Sequence, residues 1–346
     1  MDAVGVRIGD RTIGSGEQVF FIAEAGVAHF GDMERARELI DLAAEAGADA
    51  VKFQIYDTSR LIASGEAEWR QRLGSKELPY HAFLELQRHA AERGITFLVT
   101  PHEEDALDYL VDVLRVLALK VGSGEVGNLS FLRRVADKQL PTLVSLGLHQ
   151  EREIEQVTQT FQEAGNSQLV LMHCVTRYPT PPSEANLRSI SWLQRRYPYP
   201  VGYSDHAAGH AIALAAVALG ACVIEKHFFL DRTATESQDA HGACDASDLS
   251  AFVRAIRDVE CALGVEGPNP NTERLANLAW ARKSVVAAAP LRKGHQIAPS
   301  DLVLKRPGRG LAPEFLPTLF GRRLARDVAA DHVLEWADLE GDDGEA

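Results

Sequence analysis

The segment 20–56 reads FFIAEAGVAHFGDMERARELIDLAAEAGADAVKFQIY, and it sets the fold prediction. It begins with one apolar run, residues 20–26, and ends with a second, residues 50–56, each of a length typical of a buried strand. Between them, MERARELIDLAAEAGAD places apolar residues at helical spacing and ends in Ala-Gly-Ala, which predicts a helix that stops before the second run. The segment therefore predicts a βα unit followed by the first strand of the next.

The same alternation continues along the chain at intervals of about 25 to 35 residues. The apolar runs are residues 20–26, 50–56, 95–101, 117–125, 141–147, 169–175, 201–206 and 221–228. Eight consecutive βα units close a parallel barrel, so the sequence predicts a (β/α)8 TIM barrel. A doubly wound open sheet is the alternative, but no GxGxxG follows the first run and the count reaches eight without a break.

The chain is predicted to contain two domains. The barrel domain is residues 1–262, with a short N-terminal β extension at 1–18. A Pro/Gly/Asn-rich stretch, VEGPNPNTE, indicates a linker at 263–280. Short strand-and-turn elements then predict a small β-rich domain at 281–346, whose acidic end we expect to be a frayed solubilising tail. Because about 65 residues is small for independent stability, we expect this domain to dock on another surface.

Composition excludes several classes of protein. Of 346 residues, 46% are hydrophobic and 25% charged, as in ordinary globular proteins. The longest uncharged apolar run, residues 211–224, is shorter than the roughly 20 residues of a membrane-spanning helix. The start, MDAVGVRIGDR, shows no targeting signal, so we expect a cytoplasmic protein. Four cysteines without a CxxC motif predict reduced thiols.

The formal net charge is -13, which repels nucleic acid and anionic membranes. We therefore expect neither as a partner, and any anionic ligand must be held by a local basic cluster.

Polar residues collect at the carboxyl ends of the predicted strands, where barrel enzymes build their active sites. A single polar residue at such a position would more often be a satisfied core or rim residue. Many at the same end of several strands predict an active site. These residues are Glu24, Lys52, Gln54, Lys120, Ser123, Glu125, Ser145, Ser204, Asp205, His206, Lys226 and His227.

The residue types suggest an anion pocket. Two lysines and three hydroxyls suit a small ligand that carries phosphate and carboxylate groups. They are Lys52, Lys120, Ser123, Ser145 and Ser204.

Other side chains suggest a metal and proton carriers. His206 and His227 end the seventh and eighth strands, adjacent in a closed barrel, so the two imidazoles can share one divalent ion with open coordination positions. Glu125 and Asp239 are carboxylates placed to move protons.

Seven motifs, in order, resemble the N-acetylneuraminate (sialic acid) synthase family: FIAEAGVAHFG, AVKFQ, KVGSGE, YPTPP, GYSDH, IEKHF and KRPGRG. The resemblance implies a TIM barrel joined to a C-terminal antifreeze-like (SAF) domain. It also implies condensation of phosphoenolpyruvate with N-acetylmannosamine, release of phosphate, and a divalent metal such as Mn2+ or Mg2+.

The resemblance assigns roles to residues of this sequence. Phosphoenolpyruvate would be bound by Lys52, Lys120, Ser123, Ser145 and Ser204. The metal would be held by His206 and His227. The catalytic carboxylates would be Glu24, Glu125 and Asp239, with Glu24 and Glu125 as the acid/base pair. The sugar would meet Gln54, Tyr178, Asp239 and, in a homodimer with exchanged SAF domains, Arg306 of the partner subunit.

Three departures from the family pattern leave the acceptor open. Ala28 and Phe30 replace two amide side chains, Thr176 stands near a position where an asparagine helps to hold phosphoenolpyruvate, and residues 237–240 read SQDA in place of GPDH. The acceptor is therefore N-acetylmannosamine, its 6-phosphate or a diacetamido-trideoxyhexose. Two other classes stay open: a metal-dependent hydrolase or epimerase on the same barrel, and a non-catalytic protein that binds through its SAF domain.

Overall fold

The computed structural model describes residues 5–230, 237–265, 267 and 274–341. The chain forms two compact units, divided between Gly264 and Val265. Residues 1–4 of the predicted extension, residues 266 and 268–273 of the predicted linker and residues 342–346 of the predicted tail lie outside the described residues.

The first unit contains eight parallel strands. They are β3 (Phe20–Gly26), β4 (Ala50–Ile55), β5 (Thr96–Pro101), β6 (Leu119–Val121), β7 (Thr142–Ser145), β8 (Leu169–Cys174), β9 (Val201–Asp205) and β10 (Val223–Phe229). Their order in the sheet is β5-β4-β3-β10-β9-β8-β7-β6, and β5 packs beside β6 to complete the ring. Each strand overlaps one of the eight predicted runs, so the predicted barrel is confirmed and the open sheet is not.

Helices lie between the strands. They are α1 (Met33–Glu45), α2 (Thr58–Leu61), α3 (Ala67–Gly74), α4 (Ala82–Glu92), α5 (Glu104–Asp108), α6 (Leu129–Asp137), α7 (Glu151–Glu163), α8 (Arg188–Arg196), α9 (Ala211–Ala218) and α10 (Ala246–Leu263). The helix predicted in the opening segment is α1. At its start, the side chain of Asp32 accepts hydrogen bonds from the backbone amides of Glu34 and Arg35. Just after its end, Gly47 adopts a positive φ of 80°, a conformation that favours glycine.

Strand pleating sorts side chains between the barrel interior and the helix-facing side. The lower interior is filled by an apolar cluster that includes Phe20, Ile22, Leu143 and Val223. A hairpin of β1 (Val6–Ile8) and β2 (Arg11–Ile13), within the predicted extension, adds Val6, Ile8 and Ile13 to this cluster. The space left for polar side chains is therefore at the carboxyl ends of the strands.

The second unit has its own core. Strands β12 (Ser284–Ala287) and β13 (Leu302–Lys305) pair antiparallel, and short bridges join other segments to them. The unit also contains α11 (Arg274–Ala281) and α12 (Leu316–Leu319). Helix α11 begins in the stretch predicted as linker and ends one residue beyond it, because RLANLAWA is rich in the strong helix formers Ala and Leu.

Two composition-based expectations can be compared with the structure. The cysteines Cys174, Cys222, Cys244 and Cys261 are all free, as predicted. Among the described residues, no helix is both long and apolar enough to cross a membrane.

Candidate active site

Two lysines and two glutamates meet inside the carboxyl end of the barrel. Lys52 on β4 places its Nζ 2.8 Å from Glu24 Oε2 on β3 and 3.8 Å from Glu225 Oε2 on β10. Lys120 on β6 places its Nζ 3.7 Å from Glu225 Oε1. No side chain of the four is more than 6% exposed, so they form one buried charge cluster.

Hydroxyl groups surround this cluster. Lys120 Nζ donates to Ser145 Oγ at 2.6 Å, and Lys52 Nζ donates to Thr100 Oγ1 at 3.1 Å. Ser204 Oγ donates to Glu225 Oε1 at 2.8 Å. The structure thus brings together the two lysines, Ser145 and Ser204, all predicted for the anion pocket.

The charges of the cluster are unequally balanced. Burial lowers the pKa of Lys120 below its usual value, against the opposing effect of Glu225. Burial acts in the same direction on Lys52, but the carboxylates of Glu225 and Glu24 outweigh it and raise that pKa. Burial favours a raised pKa for Glu225, yet the two lysines outweigh burial and lower it. Lys120 is therefore the less compensated cation and the group that gains most from a bound anion.

Ser123 begins the 3-10 turn Ser123–Glu125 after β6. Its Oγ accepts the Gly147 amide at 2.9 Å and lies 3.1 Å from the Sγ of Cys174, which ends β8. Burial raises the pKa of the Cys174 thiol, and the charge of Lys120 acts in the opposite direction.

His206 and His227 come together above β9 and β10, with ring centroids 5.6 Å apart. The Nδ1 of His206 donates to the Val175 carbonyl at 2.7 Å, which leaves its Nε2 lone pair for a ligand. Burial, followed by the neighbouring His227, lowers the pKa of His206 to about 4, so the ring is neutral at pH 7. Neutral imidazole is the form that binds metals, and the pair fits a divalent ion.

Two histidines do not by themselves make a closed metal site. Among the described residues, no group of three His, Cys, Asp or Glu side chains is arranged to hold an ion. Water or substrate would have to supply the remaining ligands, as in an open, catalytic type of site.

The predicted sugar-binding residues Gln54 and Tyr178 flank the histidines. Gln54 Nε2 donates to Glu24 Oε1 at 3.2 Å. A Cβ added to Gly26, whose φ is 53°, would lie 3.4 Å from both of these atoms and 3.6 Å from His227 Cε1, so three side chains surround one point. The ring centroid of Tyr178 lies 4.1 Å from the ring centroid of His206 and 5.9 Å from the ring centroid of His227.

Asp239 lies in the 3-10 turn Gln238–Gly242, which follows β10. Strand β11 (Cys244–Asp245) pairs with the end of β10, and a Cβ on Gly242 would lie 2.4 Å from the His206 carbonyl oxygen. The turn therefore packs on the His206 backbone. Burial and then the charge of Asp239 raise the pKa of Tyr178, which keeps its phenol protonated.

Glu125 and Arg306, two further predicted site residues, make other contacts. Glu125 Oε2 accepts from Asn128 Nδ2 at 2.7 Å, and burial raises its pKa. Arg306 belongs to the second unit, where its guanidinium lies 5.6 Å from the ring centre of Trp280.

The strand-end residues Asp205 and Lys226, grouped with the site in the sequence, face away from it. They form an ion pair of 2.6 Å on the outside of the barrel wall, and both side chains are fully buried. Consecutive residues of a strand alternate sides, so Lys226 cannot share the interior with its neighbours Glu225 and His227.

Sequence reasoning missed four residues around the cluster: Thr100, His102, Cys174 and Glu225. His102 is half-buried, and desolvation followed by the charges of the two lysines lowers its pKa to about 4. Glu225 was detectable, because it stands two residues before His227 and so shares its side of the strand.

Family models match both units: NeuB family over residues 39–267 and SAF domain over residues 282–340. The chain is 36% identical to the N,N'-diacetyllegionaminic acid synthase of Legionella pneumophila, over 94% of this chain and 96% of that protein. It is 33% identical to the human N-acetylneuraminate-9-phosphate synthase, over 94% and 93%.

A solved structure agrees with these matches. The N-acetylneuraminic acid synthetase of Leptospira borgpetersenii, crystallised with citrate, superposes with a TM-score of 0.75 at 32% identity. The match covers 80% of this chain and 96% of that one. The resemblance found in the sequence motifs is confirmed: the chain belongs to the NeuB family of sialic-acid-type synthases, enzymes of the transferase class, and carries a SAF domain.

Proposed function

We propose that this enzyme condenses phosphoenolpyruvate with an N-acylated sugar, N-acetylmannosamine or a related compound, to a nine-carbon 2-keto acid and releases phosphate. The observation that carries the proposal is the buried pair Lys52 and Lys120, contacted by hydroxyls at the same end of the barrel where His206 and His227 meet. A buried lysine whose charge is incompletely compensated, at the carboxyl end of a barrel in an acidic chain, supports anion binding.

The lysines bind and orient phosphoenolpyruvate. In the free protein their charges are met by Glu24 and Glu225, so the lysines are held in place before the ligand arrives. Ser123, Ser145 and Ser204 supply hydroxyls to the same anion. Because the cluster is buried, each charged contact acts in a dry site, where it is stronger than in water.

A divalent ion, Mn2+ or Mg2+, would be held by His206 and His227, and when bound it would polarise the sugar aldehyde as a Lewis acid. Tyr178, Gln54 and Asp239 orient the open-chain sugar beside it. The enol carbon of phosphoenolpyruvate then forms a bond to the aldehyde carbon. Water adds at the former enol carbon, and the adduct loses phosphate to give the keto acid.

Two carboxylates manage the protons. Glu24, which contacts Lys52 and Gln54, exchanges a proton with the new sugar hydroxyl. Glu125, whose pKa is raised by burial, accepts the proton of the attacking water.

The direct test is a phosphate-release assay with phosphoenolpyruvate and a panel of N-acylated hexosamines, their 6-phosphates and diacetamido-trideoxyhexoses. We expect release only with phosphoenolpyruvate and one class of acceptor. Epimerisation or hydrolysis of a sugar without phosphate release would instead establish the metal-dependent hydrolase or epimerase.

The metal is tested separately. His206→Ala and His227→Ala should abolish turnover and weaken Mn2+ binding in an electron paramagnetic resonance titration. A chelator should inactivate the native enzyme reversibly. His89→Ala is the matched control, since His89 on helix α4 pairs with Asp41 on helix α1. Full activity in chelator would refute the metal assignment.

The homodimer with exchanged SAF domains has its own test. Each active site would need His206 from one chain and Arg306 from the other. Mixing inactive His206→Ala and Arg306→Ala proteins, after dissociation and reassociation, should restore about a quarter of native activity with random pairing. An inert mixture of verified mixed dimers would rule the exchange out.

A further inference from the structure

We propose that Cys174 is a positioning residue for the anion: its thiol donates a hydrogen bond to Ser123 Oγ and so frees the Ser123 proton for phosphoenolpyruvate. The inference rests on the proposed function, because phosphoenolpyruvate is taken as the ligand. Cys174 is not among the site residues predicted from the sequence.

The geometry packs four groups in close contact. Cys174 is 4% exposed and follows the interior residues Val170 and Met172 at strand spacing, so its side chain faces the barrel interior. Its Sγ lies 3.1 Å from Ser123 Oγ. Gly147 leaves room for both side chains: a Cβ there would lie 2.7 Å from Cys174 Sγ, 3.0 Å from Ser123 Oγ and 2.4 Å from Thr176 Oγ1. These contacts fix the position of the Ser123 oxygen.

The thiol determines whether the Ser123 hydroxyl has a proton to donate to a ligand. A serine hydroxyl has one proton and two lone pairs. The Gly147 amide uses one lone pair of Ser123. If Ser123 spends its proton on the sulfur, it has none for a ligand. If the thiol donates instead, both lone pairs are satisfied by the protein and the proton points to the anion.

The thiol is able to donate. Burial raises the pKa of Cys174, against the opposing effects of Ser123 and Lys120, so sulfur keeps its proton at neutral pH. An arriving phosphate or carboxylate accepts hydrogen bonds only, so it selects the arrangement in which Ser123 donates to it and Cys174 donates to Ser123.

The test is a double-mutant cycle on phosphoenolpyruvate binding, measured by titration calorimetry without acceptor. We expect Ser123→Ala to weaken binding about tenfold and Cys174→Ala about three- to tenfold. Because Cys174 acts through Ser123, Ser123→Ala/Cys174→Ala should be no weaker than Ser123→Ala alone. Cys174→Ser, which keeps a donor, should stay within about twofold of the native protein.

Cys222→Ala is the matched control. Cys222 is another buried cysteine of the barrel, and its Sγ donates to the Val201 carbonyl at 3.2 Å. Its removal should leave phosphoenolpyruvate affinity unchanged. Thermal unfolding of every variant checks that the barrel is intact.

The outcomes separate the two proposals. Losses that multiply in the double variant, or native affinity in Cys174→Ala, would overturn the role of the thiol while the synthase function stands. A native protein that binds no phosphoenolpyruvate would overturn the proposed function itself.

Discussion

Lysines are buried on both sides of the barrel wall, and their ion-pair partners and distances differ between the two sides. Outside, Lys226 Nζ lies 2.6 Å from Asp205 Oδ2 and also donates to the Ala207 carbonyl, while Asp205 Oδ1 accepts the Ala207 amide at 3.0 Å. Inside, Lys52 and Lys120 share Glu225 at 3.8 and 3.7 Å, with shorter contacts to Glu24 and to hydroxyls.

This difference distinguishes a structural ion pair from a charge cluster that can bind a ligand. The outer pair has two members, short contacts and backbone hydrogen bonds, so nothing remains for a ligand to complete. The inner cluster includes longer ion pairs, those to Glu225, and a lysine whose pKa stays depressed. A bound anionic substrate can supply the negative charge that such an incompletely compensated buried lysine lacks.

The largest expected effect is at the outer pair. Lys226→Met leaves Asp205 as an unpaired buried charge, which should lower the free energy of unfolding by about 3–5 kcal/mol. The melting temperature should then fall by on the order of 10 °C, measured by circular dichroism. Asp205→Asn/Lys226→Met should recover much of the loss, and an unchanged melting temperature in the single variant would contradict the comparison.

The inner lysines should show the opposite pattern. Lys120→Met should weaken phosphoenolpyruvate binding about tenfold to a hundredfold, because a charge-assisted contact is lost. Its melting temperature should fall less than that of Lys226→Met, because burial already disfavours the charged Lys120, although the variant also removes one of the two lysines that compensate Glu225. Lys52→Met should lose similar affinity and also some stability, since Lys52 compensates Glu24 and Glu225. Calorimetry should find acceptor affinity unchanged, and a change there instead would assign the pocket to the wrong ligand.

The pH dependence of binding follows from the depressed pKa of Lys120. A lysine with a folded-state pKa below its unfolded value costs stability while protonated, and this cost disappears as the pH rises through the interval between the two values. The stability of the native protein should therefore rise relative to that of Lys120→Met toward alkaline pH. Native affinity for phosphoenolpyruvate should fall over the same interval, by at most about tenfold per pH unit. An affinity that stays flat up to the usual lysine pKa would contradict this.

The smallest effect is expected at Thr100, whose Oγ1 accepts from Lys52 at 3.1 Å. Thr100→Val keeps the shape and removes about 0.5–1.5 kcal/mol of hydrogen bonding, a two- to tenfold loss in phosphoenolpyruvate affinity. Thr158→Val is the matched control, because Thr158 is buried on helix α7 and donates to the Glu155 carbonyl. Equal losses in both variants would show that the effect is not local to the inner cluster.

The sequence predicted the strands and most of the site because both depend on local pattern. The run 20–26 coincides with β3, and its one charged residue, Glu24, enters the cluster as predicted. Barrel strands all end at the same edge, so polar residues at those ends must converge once eight strands are counted. His206, His227, Lys52 and Lys120 were found in this way.

Tertiary structure decided which side of the wall each polar residue faces and which distant residues meet there. Glu225, Lys226 and His227 are consecutive, and composition cannot tell which of them point inward. The tilt and stagger of the closed barrel fix that choice, because they set which face of each strand meets the axis. Ser123, Gly147 and Cys174 follow or end three different strands, and only closure of the ring brings them within hydrogen-bond distance.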